Sequence, residues 1–258
     1  MKQIIVLISL AILPLHEVRA QYNTNRLIIS GQSALYYEDY VLSIQYFNQA
    51  LAAKPYLYEP WFYRGLAKFY LDDYTGSEAD VTRAIELNPY IYNMFELRGL
   101  CRIRQKHYAQ AIDDYTRSIN LNPQNQTAWY NRALCRVEDK DYAQAQLDLD
   151  TVVTRWQSYA SAYSLKAQVY LLQTDTLTAD KWLDKCLKVA PYDVDAWNMR
   201  GMIALSRAEW KNADTYLSKV IHLKPKNAAN YVNRALARYN INNQIGRASC
   251  RERVSRVV

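Results

Sequence analysis

The chain has 258 residues, half of them apolar, with only 6 glycines and 7 prolines, which disfavours turn-rich sheet and favours helices. Its formal charge of +7 is partly terminal: residues 1–20 carry Lys2 and Arg19 against Glu17, and residues 244–258 carry four arginines against Glu252. What remains between them is nearly balanced, so no basic stripe of the kind nucleic acid requires is left and no nucleic-acid partner is expected.

Residues 1–20 read as a secretory signal peptide. Lys2 supplies the basic start, Ile4 to Leu13 is an unbroken apolar run, and Val18 and Ala20 offer small residues before a cut. The run is too short for the roughly twenty residues of a membrane-spanning helix, so export with no transmembrane segment in the mature part is expected.

From Thr24 a 34-residue pattern starts and keeps its register. A bulky residue falls at Leu27, Trp61, Phe95, Trp129, Tyr163, Trp197 and Tyr231, and a small one four later at Gly31, Gly65, Gly99, Ala133, Ala167, Gly201 and Ala235. Tyr40, Tyr74, Tyr108, Tyr142 and Trp210 then open a second apolar stretch. Small residues sit inside it at Ser43, Ser77, Ala111, Ala145, Ala179 and Ala213, and prolines close the unit at Pro55, Pro89, Pro123, Pro191 and Pro225. Apolar steps of three and four within residues 94–123 make each unit two amphipathic helices joined by a short polar turn. Such a pair cannot bury its apolar face alone and needs copies on both sides.

This pattern resembles the tetratricopeptide repeat (TPR) family. The resemblance implies an all-α, right-handed solenoid of antiparallel helix hairpins, with six complete repeats at 24–57, 58–91, 92–125, 126–159, 160–193 and 194–227. Residues 228–243 would be the first helix of a truncated seventh. Gln157 replaces the closing proline of repeat four and Thr176 an aromatic in repeat five, so the stretch 150–180 is expected to be the least stable. The string QIGRASCRERV resembles a translated sequencing adapter, which makes 244–258 an expected non-native tail and the natural chain longer.

No nucleophile with a matching base, phosphate loop or metal cluster is apparent, and neither enzyme activity nor a cofactor is expected. His107 and His222 lie in different repeats and read as solvated. Cys101, Cys135 and Cys186 read as buried fillers. A cation recurs at Arg64, Arg98, Arg132, Lys166, Arg200 and Arg234, with Asp80, Asp114 and Asp148 in three of the same repeats. Two readings are open, a charged groove and an Arg–Asp bridge within each repeat; the shared spacing favours the bridge.

The TPR resemblance places the first helices along a concave face. Groove candidates are Tyr36, Phe62, Leu66, Phe69, Tyr70, Glu96, Arg104, Tyr130 and Asn198, aromatic in the early repeats and polar later. Phe62 and Phe69 could equally pack against neighbouring repeats. The excess of 23 tyrosines has the same two explanations, a binding surface or half-buried repeat positions. The clamp by which some TPR proteins hold a C-terminal carboxylate is absent, since Glu96 and Leu100 stand where Lys and Asn are needed, although Asn131 fits one place. The expected function is an exported interaction scaffold of the periplasm or outer cell envelope, binding a protein or peptide. The alternatives are a docking region of a longer protein with an effector beyond residue 243, or an accessory subunit of an envelope enzyme complex.

Overall fold

The computed structural model describes residues 23–255, with side chains through residue 244; the expected signal segment lies outside them. Every described element is helical. First helices are α1 (23–36), α3 (Tyr58–Tyr70), α5 (Tyr92–Arg104), α7 (Gln126–Glu138), α9 (Ala160–Leu172), α11 (Val194–Ser206) and α13 (Ala228–Ser255). Second helices are α2 (Tyr40–Ala53), α4 (Tyr74–Leu87), α6 (Tyr108–Leu121), α8 (Tyr142–Arg155), α10 (Thr176–Val189) and α12 (Trp210–Leu223). The chain forms two compact units, one ending at Lys140 and one starting at Asp141. The division falls in the turn of the fourth repeat, upstream of the stretch 150–180 singled out above.

The turn within each hairpin repeats as faithfully as the helices. One residue in each has left-handed backbone: Glu38, Asp72, Lys106, Lys140, Thr174 and Ala208, with φ from 56° to 65°. The next residue's N–H reaches back to the first helix, as from Asp39 to the Ala34 carbonyl (2.9 Å) and from Asp175 to the Tyr170 carbonyl (2.9 Å). This closure satisfies carbonyls that the helix end leaves without partners. None of the six left-handed residues is glycine, so each Cβ crowds its own backbone. The second helix then starts under a cap: Asp39, Asp73, Asp141 and Asp175 each accept the backbone N–H three residues on. His107 and Glu209 occupy the same place without that bond.

Small residues set how closely the helices approach. A Cβ on Gly99 would stand 2.9 Å from the Tyr115 ring, and one on Gly31 would stand 2.6 Å from Phe47. In both cases the ring of the second helix lies across the glycine of the first, sixteen positions earlier. Tyr115 and Phe47 are wholly buried, as is Leu183, which shares a core with Ala167 in the second unit. Burial of each such side chain contributes about 1.5–3 kcal/mol. The small residues Ser43, Ser77, Ala111, Ala145, Ala179 and Ala213 are all fully buried.

The bulky residue of each first helix fastens the junction between repeats. The indoles of Trp61, Trp129 and Trp197 donate to the carbonyls of Pro55, Pro123 and Pro191 at 2.9, 3.1 and 2.8 Å. Where Gln157 replaces proline, the Tyr163 hydroxyl makes the same link to the Gln157 carbonyl at 3.0 Å. Thr176, in the place of an aromatic, accepts from Arg207 at 3.0 Å instead. The departures in repeats four and five therefore keep their connections with different chemistry.

The last helix runs on through Ser255 without the turn that ends every earlier first helix. Tyr231, Val232, Leu236 and Tyr239 are exposed along it, and Ala235 is open where its equivalents are covered by a second helix.

Candidate partner-binding groove

The cation ladder is structural, and it reaches further than the sequence suggests. Arg64 makes a two-pronged contact with Asp80 at 2.8 and 2.6 Å, and Arg98 holds Asp114 at 2.7 Å. Lys68 and Arg102, one helical turn on, add a second cation to each carboxylate at 2.8 Å. The same arginines also reach the preceding second helix: Arg64 donates to Asn48 (2.7 Å), Arg98 to Thr82 (3.3 Å) and Arg132 to Thr116 (3.0 Å). Each guanidinium thus ties its own repeat to the one before. Burial pushes the Asp114 carboxyl above its ordinary value even though Arg98 and Arg102 pull it down. Asp148, expected to pair with Arg132, is buried in the second unit.

In that unit the ladder changes partners. Lys166, almost fully buried, donates to Asp150 and lies 4.2 Å over the Trp182 ring. Arg200 contacts Asp180 and Asp184 and covers Tyr216 at 4.9 Å. Arg234 lies over the Tyr231 ring at 5.5 Å.

The three cysteines with described side chains are free and buried. Burial pushes their thiols up, to about 11 for Cys101 and about 12 for Cys135 and Cys186, so they are inert fillers. Among the described residues no group of three or more acidic, histidine or cysteine side chains could hold a metal, and no helix is long and apolar enough to cross a membrane.

The groove candidates divide by burial. Phe62, Leu66 and Phe69 are half-buried and pack on the core of Val81, Ala84, Met94, Leu97 and Cys101, so they serve as both wall and core. Tyr36 is 82% exposed and Tyr70 53%, the latter stacked on Tyr40 with centroids 5.0 Å apart. Arg104 is exposed, its guanidinium 6.0 Å over the Tyr74 ring. Tyr130 is half-buried. These residues repeat at the same helical positions of α1, α3, α5 and α7, so they share one face of the first unit. Asn198 belongs to the second unit, where its buried Oδ1 has no partner.

Glu96 is the exception on this face, a half-buried carboxylate. Burial raises its carboxyl above the ordinary value, with the Asn125 amide opposing. Near it lies a group that the sequence reading missed. Tyr115 crosses Gly99 and its hydroxyl is wholly buried, with Asn131 and Glu96 as polar neighbours. The signal was available, because the equivalent positions hold Phe47, Val81, Leu149, Leu183 and Leu217, none with a hydroxyl.

Helix hairpins stacked through small-residue contacts define a helical repeat protein. Models of the tetratricopeptide repeat match residues 62–125, 97–145 and 160–193. Residues 62–145 and 160–193 are tetratricopeptide repeats. Among curated proteins none matches it. The structure of PilW, a widely conserved type IV pilus biogenesis factor, aligns with TM-score 0.70 and 15% identity, covering 81% of this chain and 97% of that one. That of pilF from Pseudomonas aeruginosa aligns with TM-score 0.68 and 13% identity, covering 85% and 98%. YrrB, a TPR protein with an unusual peptide-binding site, aligns with TM-score 0.57 and 15% identity, covering 72% and 95%. Identities this low establish a shared fold.

Proposed function

We propose that the protein is an exported, non-catalytic scaffold that binds an extended or helical peptide segment of a partner protein along the first-helix face of its first unit. The observation that carries this reading is the combination on that face of half-buried apolar walls at Phe62, Leu66 and Phe69 with open rings at Tyr36 and Tyr70. Preformed apolar walls with accessible aromatic rings suit peptide capture, because little order is lost on binding. The repeat family supports a role in protein–protein interaction, and YrrB offers a peptide-binding precedent on this fold. The apolar run of residues 4–13 supports export, to the periplasm or outer envelope.

The test uses a displayed peptide library panned against the full chain and against a Tyr36→Ala, Tyr70→Ala variant. Phe62 is unsuitable as the probe because it is also core. Selected peptides should lose at least about ten-fold in affinity for the variant, roughly 1.4 kcal/mol, while circular dichroism stays unchanged. Unchanged affinity would remove this face as the site. Fractionation of cells expressing the chain with and without residues 1–20 tests export; retention of both forms in the cytoplasm would refute it.

A further inference from the structure

The second unit carries a basic cleft of its own, made of two cavities that adjoin at Leu223. One, of about 350 Å³, has walls of Pro191, Tyr192, Trp197 and Leu223 and a rim of Lys219 and His222. The other, of about 620 Å³, follows the chain from Leu223 to Ala228 and brings in Lys224 and Lys226. Both volumes fall within the roughly 300–1,000 Å³ of ligand pockets. We propose that this cleft binds an acidic peptide segment of a partner protein, with an apolar side chain of that segment seated against Tyr192 and Trp197.

The sign of the ligand follows from a comparison inside the molecule. Four repeats earlier the same walls recur as Pro55, Tyr56, Trp61 and Leu87, and there the rim is Arg83 and Glu86, which pair at 2.7 Å. In repeat six Lys219 and His222 stand in those two places, so a rim that neutralises itself becomes one of basic groups alone. Lys224 and Lys226 likewise replace Asn88 and Tyr90. Among the described residues, no carboxylate lines either cavity. Asp193, beside Tyr192, is engaged in capping α11, where it accepts the Ala196 N–H at 2.8 Å. Asp195 has its counterpart in Glu59 and does not set the two clefts apart.

The walls decide what else the acidic ligand carries. Tyr192 is 78% exposed and open to contact. Trp197 is already fixed: its N–H bonds the Pro191 carbonyl, and its ring lies 5.7 Å from Tyr216 and 4.3 Å from the Lys219 ammonium. It is therefore an apolar wall rather than the free stacking platform that a single-stranded nucleic acid uses. An extended peptide can cross Leu223 from one cavity to the other and offer successive carboxylates to Lys219, Lys224 and Lys226.

The experiment titrates the full chain into three fluorescein-labelled dodecapeptides, read by anisotropy at physiological salt. The first has a central Leu-Phe flanked by glutamates, the second replaces the glutamates by glutamines, and the third replaces Leu-Phe by Gly-Ser. A thymidine oligonucleotide of similar charge is titrated beside them. The first peptide should bind about ten-fold more tightly than either of the others. His222→Glu, which restores the opposite-charge rim of repeat two at an exposed position, should cut that affinity about ten-fold. Lys224→Gln with Lys226→Gln should cut it about five-fold, with circular dichroism unchanged in both variants. Equal binding of the glutamate and glutamine peptides overturns the charge preference, and tighter binding of the oligonucleotide overturns the peptide in favour of nucleic acid. Binding that survives both variants, or that is lost in Tyr36→Ala with Tyr70→Ala, removes the ligand from this cleft. No binding by any peptide overturns the proposal and leaves the first-unit groove to its own test.

Discussion

In the unit ending at Lys140, the cation of the first helix meets a buried carboxylate sixteen residues on; in the unit starting at Asp141 the same place is taken by an aromatic ring. Arg64 and Arg98 face Asp80 and Asp114, whose side chains are 5% and 3% exposed. Lys166 and Arg200 face Trp182 and Tyr216. The acids of the second unit have moved to the preceding second helix, at Asp150 and Asp184, where they are 57% and 52% exposed. What the repeat preserves is a cation that spans neighbouring helices and covers apolar surface. Its counter-group varies, and the energetic stake varies with it, because a buried carboxylate stripped of its cation is far worse off than a solvated one.

Three substitution pairs sharpen that contrast. The largest effect is expected from Arg98→Ala, which strands Asp114 with Arg102 alone and should cost about 3 kcal/mol. Arg200→Ala should cost no more than about 1 kcal/mol, since both its acids reach solvent. Urea midpoints check this, and equal losses would show that burial of the acid is irrelevant. The pH dependence gives a second reading of the same pair. Burial raises the Asp114 carboxyl, so the folded state holds that proton more tightly than the unfolded chain, and this contribution to stability grows as pH falls through the raised value. Arg98→Ala should therefore recover part of its deficit in mild acid, and Arg200→Ala should not.

A smaller difference is expected between Gly99→Ala and Gly201→Ala. The added Cβ meets the flat Tyr115 ring at 2.9 Å in one case and the branched end of Leu217 at 2.8 Å in the other. The ring cannot turn aside, so Gly99→Ala should lose about 1–2 kcal/mol net of the helix gain. Leu217 can change rotamer, and Gly201→Ala should be near neutral by thermal melting. The smallest effect belongs to the left-handed turn residues. Thr174 is β-branched and Lys106 is not, so Thr174→Gly should stabilise by about 1 kcal/mol and Lys106→Gly by less. A loss at Thr174 would mean that its turn carries no strain.

The 34-residue period made the fold legible because each helix pair depends on small residues at fixed positions; Gly31, Gly65 and Gly99 announced the close approaches that Phe47, Val81 and Tyr115 then make. The Arg–Asp pairs of repeats two and three were legible for the same reason. The second partner of each cation was overlooked, although Asn48, Thr82, Thr116, Asp150 and Asp184 recur at the same 34-residue step. Three of the five, Asn48, Thr82 and Thr116, are neutral acceptors, which attract no notice when opposite charges are sought. The expected weak stretch at 150–180 rests on Gln157 and Thr176; at the first of these the Tyr163 link uses the residue's carbonyl, which any amino acid supplies. The Tyr115 hydroxyl was hidden by the pattern itself, since a tyrosine at an apolar position reads as bulk. Where the hydroxyl lands depends on Gly99 in another helix.

The bond from Trp61 to the Pro55 carbonyl spans six residues, as do its counterparts at Trp129, Tyr163 and Trp197. Loops this short close in roughly tens of nanoseconds, long before neighbouring hairpins can dock. Four junctions along the chain thus have the same early start, and none depends on a distant segment arriving first. A chain built this way folds quickly for its length, and after local opening it can re-form from whichever junction survived.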